Sequence, residues 1–399
     1  MIASPNRVRL RLVVVSLVAC GCAGGAAVYS SPAGPLELLS HSIDAGVIYV
    51  PRLAPVRVPP PEVRLDELVA SPVSGDPDFE AAVARWVDYW QTAAVEAVPV
   101  FLERMASFAE TIDSALTQNG LPPSLRYLPF IESGYNPRAA SRASAVGLWQ
   151  FMGPTAEQMG MEVSRLLDQR RDPIRSTEAA IAFLGQLRAD FGSWFLALAA
   201  YNGGPNRVRR VLLQYAPGVE PSDSLFWALR HRFPRETQDF VPKLMGAILV
   251  AGRPEAYGYE SAPITERFSF DAVAVPDATT LDVVARAAEV PLDDIERLNP
   301  QFVRGMTPPN RPSDLRVPPG TGPTFERNYA DIAVDERVTF VEHRVEEGET
   351  LSHIAVRYGV LVADLNAANP GLRPRYLRIG TMLTVPVAPS ARAVVSTGS

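Results

Sequence analysis

Cysteine is almost absent: there are two in 399 residues, Cys20 and Cys22, both close to the start of the chain. Everything after them therefore lacks disulfides and thiolate metal sites. Histidine is scarce as well, and His41, His231, His343 and His353 show no ligand spacing, so no metal centre is expected. An excess of positive charge is missing too. The formal net charge is −6 with both signs mixed along the chain, which gives a nucleic-acid partner no electrostatic footing. The apolar run at residues 12–19 is too short to cross a bilayer as a helix.

What the chain has in quantity is proline, 37 residues of it, which favours modules joined by stiff linkers over one large core. Residues 1–22 read as an export signal, with Arg7, Arg9 and Arg11 ahead of the short apolar run. That run ends in Leu17-Val18-Ala19-Cys20-Gly21. This has the form of a bacterial lipobox in which Cys20 is lipidated. Lipidation of Cys22, or plain cleavage after a small residue, are the alternatives. Residues 23–75 read as a tether, in which Pro59, Pro60 and Pro61 favour extended polyproline II geometry. Two apolar islands, Leu36, Leu38 and Leu39 and then residues 47–50, interrupt it and are candidates for docking on the helical domain that begins at residue 76.

From residue 76 to residue 258 the pattern is helical. Trp86, Tyr89 and Trp90, then Phe101, Met105 and Phe108, recur at helical spacing and read as core. Leu125, Leu128 and Ile131 give an apolar face to a helix that Gly134 and Pro137 stop, leaving Glu132 in its last turn. An acid directly after four apolar residues is either solvated at the helix end or held for chemistry. If it is half-buried, desolvation disfavours its charged form, and a carboxyl still protonated near neutrality can act as a general acid. Ser133 beside it suits a turn hydrogen bond. The small polar residues of 138–146 suit close backbone approach to a polymer. Gly147 permits a tight turn and Gln150 offers an amide, while Trp149 and Phe151 are either core or stacking surfaces. Asp168 and Asp172 are the candidates for a second catalytic carboxylate, with a salt-bridged turn as the competing role. Ser176 is expected to cap the next helix, Gly192 to end it, and residues 194–200 to form a helix delivering Tyr201 and Asn202 to the turn at Gly203-Gly204-Pro205.

The C-terminal part contains a repeat. Leu281, Val284, Ala285, Val290, Asp294, Asn299 and Pro300 align without a gap on Leu351, Ile354, Ala355, Val360, Asp364, Asn369 and Pro370. Each copy ends in a short strand, Leu315-Arg316-Val317 and Leu383-Thr384-Val385. Two βααβ modules are expected, at 262–320 and 340–387, followed by a tail at 388–399. Thr350 caps the first helix of the second copy and Gly359 stops it.

Four segments occur together and in order: Glu132-Ser133, Gly147-Leu148-Trp149-Gln150-Phe151, Asp172-Pro173 and Ala199-Ala200-Tyr201-Asn202-Gly203-Gly204. In this the chain resembles the catalytic domain of lytic murein transglycosylases, most of all the membrane-bound lytic murein transglycosylase D type. The second repeat copy is similar to a LysM module, and the first is a degenerate relative lacking its Gly-x-Thr opening. The resemblance implies a mainly α, lysozyme-like catalytic domain followed by small α+β LysM-type modules. It implies Glu132 as the catalytic residue, and Ser133, Gln150, Tyr201 and Asn202 as substrate-binding residues. It further implies peptidoglycan glycan strands as substrate, no cofactor, and a lipid-anchored protein of the bacterial envelope, at the outer membrane facing the periplasm. The implied reaction breaks the bond between N-acetylmuramic acid and N-acetylglucosamine and leaves 1,6-anhydro ends. A hydrolytic, goose-type lysozyme and a non-catalytic LysM wall-binding protein are the rival readings. One departure stands out: where the family reads Tyr-Val-Pro, this chain has Phe240-Val241-Pro242, so a phenolic hydroxyl is missing.

Overall fold

A helix that is apolar all round must be buried all round. In the computed structural model that helix is Trp194–Gly203, and Trp194 through Ala200 are all buried. The structure describes residues 66–164, 166–260, 267–308, 311–337, 340–358, 362–369, 371–372 and 377–386. Among the described residues, the α-helices up to residue 252, in chain order, are α1 (Pro77–Gln91), α2 (Ala97–Gln118), α3 (Leu128–Ser133), α4 (Gly153–Gln158), α5 (Pro173–Phe191), α6 (Trp194–Gly203), α7 (Pro205–Tyr215), α8 (Asp223–Leu229) and α9 (Arg235–Gly252). Helices α5, α7, α8 and α9 pack around α6, and α1 lies along α9. Gly246 lets α1 and α9 approach closely, because a Cβ there would meet the Trp86 Cβ at 2.9 Å.

The helix boundaries follow local chemistry. Asp76 caps α1 by accepting from the Asp78 and Phe79 amides, with Pro77 at the first helical position. Gly192 ends α5 in the left-handed conformation. Helix α5 is capped by Asp172, which accepts from the Ile174 and Arg175 amides, rather than by Ser176 as expected. Ser176 lies inside the first turn and donates its hydroxyl to the Asp172 carbonyl; a carboxylate one residue before Pro173 outcompetes a hydroxyl four residues later. Of the aromatic group on α1, Trp90 is core but Tyr89 is 40% exposed. The end of the segment read as tether is folded onto the helices. Leu68 is buried, and the Asp66 carboxylate accepts from the Ser124 amide and hydroxyl, both at 2.8 Å. The two apolar islands and residues 1–22, Cys20 among them, lie outside the described residues.

Two βααβ units come next along the chain. The first is β1 (Asp271–Val275), α10 (Leu281–Ala288), α11 (Leu292–Leu298) and β2 (Ser313–Val317), with a further helix α12 (Gly322–Asp331) packed on α10. Strands β1 and β2 are antiparallel, with Asp271 opposite Val317 and Val275 opposite Ser313. The second is β3 (Phe340–Arg344), α13 (Leu351–Tyr358), α14 (Val362–Ala368) and β4 (Met382–Pro386), again antiparallel. The repeat is exact in one detail: Asn299 and Asn369 each donate to and accept from the backbone of the final strand of their own copy. Thr350 caps α13 through the His353 amide, while Gly359 lies outside the described residues.

The first unit is seated on the segment between α4 and α5. The Asp168 amide donates to the Gln301 carbonyl at 2.9 Å and the Val303 amide to the Leu166 carbonyl at 3.0 Å. Leu167 enters the core of that unit. The Arg316 guanidinium grips both oxygens of Asp172 at 2.8 Å, in a pair only 12% and 6% exposed.

Candidate active site

The site grows from the six-residue helix α3. Leu128, Pro129, Phe130 and Ile131 are buried, which fixes the helix against α2 and α9 and leaves the next residue, Glu132, at the edge of the core. Gly134 turns the chain out with φ 56°, and its amide donates back to the Pro129 carbonyl. Glu132 is half-buried. Burial pushes its carboxyl up to about 7, the Lys243 ammonium works against this, and the Glu236 carboxylate adds to it. The acid thus stays partly protonated near neutrality.

The turn 147–151 forms the facing wall, held by hydrogen bonds from three directions. Ser133 donates to the Leu148 carbonyl at 2.8 Å. Tyr201, in the last turn of α6, donates to the Trp149 carbonyl at 2.6 Å. Behind the turn, Arg170 donates to the carbonyls of Ser144 and Phe151 and is paired with both oxygens of Asp168 at 2.8 Å. Gly147 has φ 87°, and a Cβ there would overlap the Arg170 carbonyl oxygen. Gln150 is left-handed at φ 50° and donates its amide to the Gly147 carbonyl at 2.9 Å. Trp149 and Phe151 are buried, and the Trp149 indole donates to Thr177; both are core. Ser133, Gln150 and Tyr201 therefore meet at this one turn, and Glu132 adjoins Ser133 in the chain and acts electrostatically on Tyr201.

Asn202 is held from the opposite side by α9. It accepts from the Thr237 hydroxyl at 2.7 Å and donates to Glu236 at 3.4 Å. Phe240, the departure from the family pattern, is buried in α9. Burial pushes the Tyr201 hydroxyl well above its ordinary value, and the nearby Glu132 adds to the effect. Neither Asp168 nor Asp172 is available as a second catalytic carboxylate: Asp168 is taken by Arg170, and Asp172 by Arg316 and the start of α5.

Two charged residues at the acid were not singled out from the sequence. Glu236 and Lys243 lie seven residues apart, on one face of α9. A simple signal was present for the second: Lys243 is the only lysine in the chain. Among the described residues no group of three or more His, Cys, Asp or Glu side chains could hold a metal ion, and no helix is long and apolar enough to cross a membrane.

Known proteins resemble this chain over both its helical and its βααβ parts. Residues 110–217 match the transglycosylase SLT domain, residues 269–334 the LysM-like domain of lytic transglycosylase MltD, and residues 343–386 the LysM domain. The membrane-bound lytic murein transglycosylase D of Escherichia coli is 29% identical over 298 residues, 71% of this chain and 64% of that protein. The chain therefore spans somewhat less than two thirds of that relative's length. A transglycosylase of Enterobacteria phage PRD1 is 34% identical over 99 residues, 25% of this chain and 35% of its own. The solved structure of an inactive mutant of lytic transglycosylase Slt from Pseudomonas aeruginosa is 23% identical, covers 40% of this chain and 26% of its own, and has a TM-score of 0.31. The chain thus carries a transglycosylase SLT domain followed by an MltD-type LysM-like domain and a LysM domain.

Proposed function

We propose that this protein is a lytic transglycosylase of peptidoglycan, with Glu132 as its single catalytic acid and base. The observation that carries the proposal is the half-buried Glu132 carboxyl, pushed up to about 7, next to the Ser133 that with Tyr201 pins the turn 147–151. Glu132 gives its proton to the oxygen between N-acetylmuramic acid and N-acetylglucosamine, and the bond from that oxygen to C1 of the muramyl residue breaks. The carboxylate then takes the proton of the muramyl C6 hydroxyl as that oxygen bonds to C1. The glycan is cut, a 1,6-anhydro ring closes, Glu132 regains its proton and no water is consumed. This departs from the usual scheme of two carboxylates, which suits a site where Asp168 and Asp172 are both engaged in structure. Ser133, Gln150, Tyr201 and Asn202 form the wall along which the glycan lies, and the LysM modules hold the polymer.

The same reading places the protein in the bacterial envelope, anchored through Cys20 at the outer membrane and facing the periplasm. One acyl chain binds a membrane reversibly, whereas several anchor it firmly. Cys20→Ala should therefore release the protein from membranes or leave it unprocessed; fractionation and processing like the wild type would refute the anchor.

Mass spectrometry of fragments released from purified sacculi tests the reaction. Fragments lighter by one water than those of a hydrolase are expected; reducing ends as the main product would make the enzyme a hydrolase. Near-normal turnover by folded Glu132→Gln would overturn the catalytic assignment, because general acid–base help is worth about two to four orders of magnitude.

A further inference from the structure

Wherever else this chain needs a cation it uses arginine: of its 38 basic residues all but one are arginine. The exception stands at the acid. Lys243 is half-buried in the middle of α9 and donates its ammonium to the Ile131 carbonyl, next to Glu132, at 2.9 Å. Its side chain is also bounded by the Trp86 ring, with Nζ 5.7 Å from the ring centre. The ammonium is therefore fixed by a hydrogen bond to α3 and an aromatic face from α1. A guanidinium is broad and planar, whereas an ammonium is a compact point charge suited to a narrow site.

On α9 itself, Asp239 one turn before Lys243 is paired with Arg235. From α3 comes Glu132, and from α9 itself Glu236; both favour the ammonium, while burial pulls Lys243 down. From α6 comes Tyr201, which Glu132 influences directly. Helix α1 offers the Trp86 ring. From the turn at 123–127, Arg126 is paired with Asp113, and the Tyr127 hydroxyl lies beside Gly252 at the far end of α9. Arg104, on α2, reaches the α3 end through the Gly134 carbonyl at 3.4 Å, but among the described residues it is Lys243 whose charge acts on Glu132.

We propose that Lys243 is a positioning residue for the proton cycle of Glu132: held on the Ile131 carbonyl, its ammonium stabilises the carboxylate that forms when Glu132 gives up its proton and keeps that carboxylate in place until the proton returns. Glu236 opposes it, so the two residues, two turns apart on α9, set from opposite sides how readily Glu132 releases its proton. The inference rests on the catalytic reading of Glu132.

The test compares Lys243→Met and Lys243→Arg with the wild type in the purified protein. The Glu132 carboxyl is titrated by ¹³C NMR, and kcat/KM on sacculi is measured against pH. Removing the cation should move the Glu132 midpoint, and with it the alkaline limb of the rate profile, upward by about one pH unit or more. Lys243→Arg keeps the charge and should return the midpoint most of the way to its wild-type position wherever it folds. A folded Lys243→Met protein with the wild-type midpoint would overturn the proposal, whatever its activity. If Lys243→Met does not fold, the wild-type protein decides, since Lys243 and the α-amino group are its only amines. Acetylation of Lys243 removes its charge and should displace the midpoint; reductive methylation keeps the charge and should not. Equal midpoints after the two treatments, with Lys243 modified, would overturn the proposal. Glu132→Gln is run alongside. If it stays active, the catalytic reading fails; if it is dead while Lys243→Met keeps the wild-type midpoint, only the role of Lys243 fails.

Discussion

Glu132→Gln should make the protein more stable than the wild type, and the gain should grow with pH. A carboxyl whose proton is held more tightly in the folded chain than in the unfolded one contributes stability that is complete below its ordinary value of 4.5 and is lost as pH rises through about 7. At about 1.4 kcal/mol per tenfold change in proton affinity, the whole difference is about 3 kcal/mol. Roughly 2.5 kcal/mol of it falls between pH 5 and pH 8. Solvent reaches part of the Glu132 side chain and screens its charge, which reduces the expected change to about 1.5–2.5 kcal/mol. The amide of the Gln variant does not titrate, so other ionisable groups largely cancel in the comparison. For a helical unit of this size the melting temperature of the variant, relative to wild type, should rise by about 3–8 °C between pH 5 and pH 8. Thermal unfolding followed by tryptophan fluorescence suits the assay, because Trp86, Trp90, Trp149, Trp194 and Trp227 all lie in the helical unit. Melting temperatures that stay parallel over that range would show that Glu132 is not desolvated and would remove the physical basis for its role as an acid.

Much of this arrangement was legible in the sequence, because it rests on contacts close along the chain. The helix carrying Glu132 is marked by four apolar residues and a glycine, and the βααβ units by a gapless repeat. What was not legible depends on partners far apart. Lys243 reaches Ile131 across 112 positions, and Arg316 reaches Asp172 across 144. The Arg316 pair shows the limit well. From the sequence Asp172 had two arginines beside it and one proline after it, all consistent with a turn. The structure gives it to a third arginine, in the first βααβ unit. Ser176 fails for a related reason: it is a good cap in isolation, but the carboxylate of Asp172 is already at the helix start. The sequence marks Ser133 and Tyr201 as substrate-binding residues, but not that their hydroxyl hydrogens pin two successive carbonyls of the opposing turn. Such wall-building contacts leave no period in the sequence to find.

Three further outcomes are expected from these contacts. Gly147→Ala places a side chain in a left-handed position and against the Arg170 carbonyl; it should cost about 3 kcal/mol or more, read as a lower urea midpoint, and an unchanged midpoint would show that the turn yields. Arg316→Met leaves the Asp172 carboxylate buried without its partner, which should cost about 3–5 kcal/mol. The change lies in the first βααβ unit while every tryptophan lies in the helical unit, so a shifted fluorescence transition is expected, and an unshifted one would show the two to be energetically independent. Removal of the second βααβ unit should separate binding from cleavage. The cut belongs after Arg337, because the Arg337 carbonyl accepts from the Thr280 amide at 3.2 Å and its guanidinium donates to the Ile332 carbonyl at 3.0 Å. Cutting earlier would strip those contacts from the first unit. The shortened protein keeps Glu132, the turn 147–151 and the Arg316–Asp172 pair, so its turnover of short soluble glycans should match the full chain. On sacculi it should bind more weakly, because a second attachment point raises the effective concentration of glycan at the site. Equal sacculus binding by the two proteins would mean that the second unit contributes no grip on the polymer.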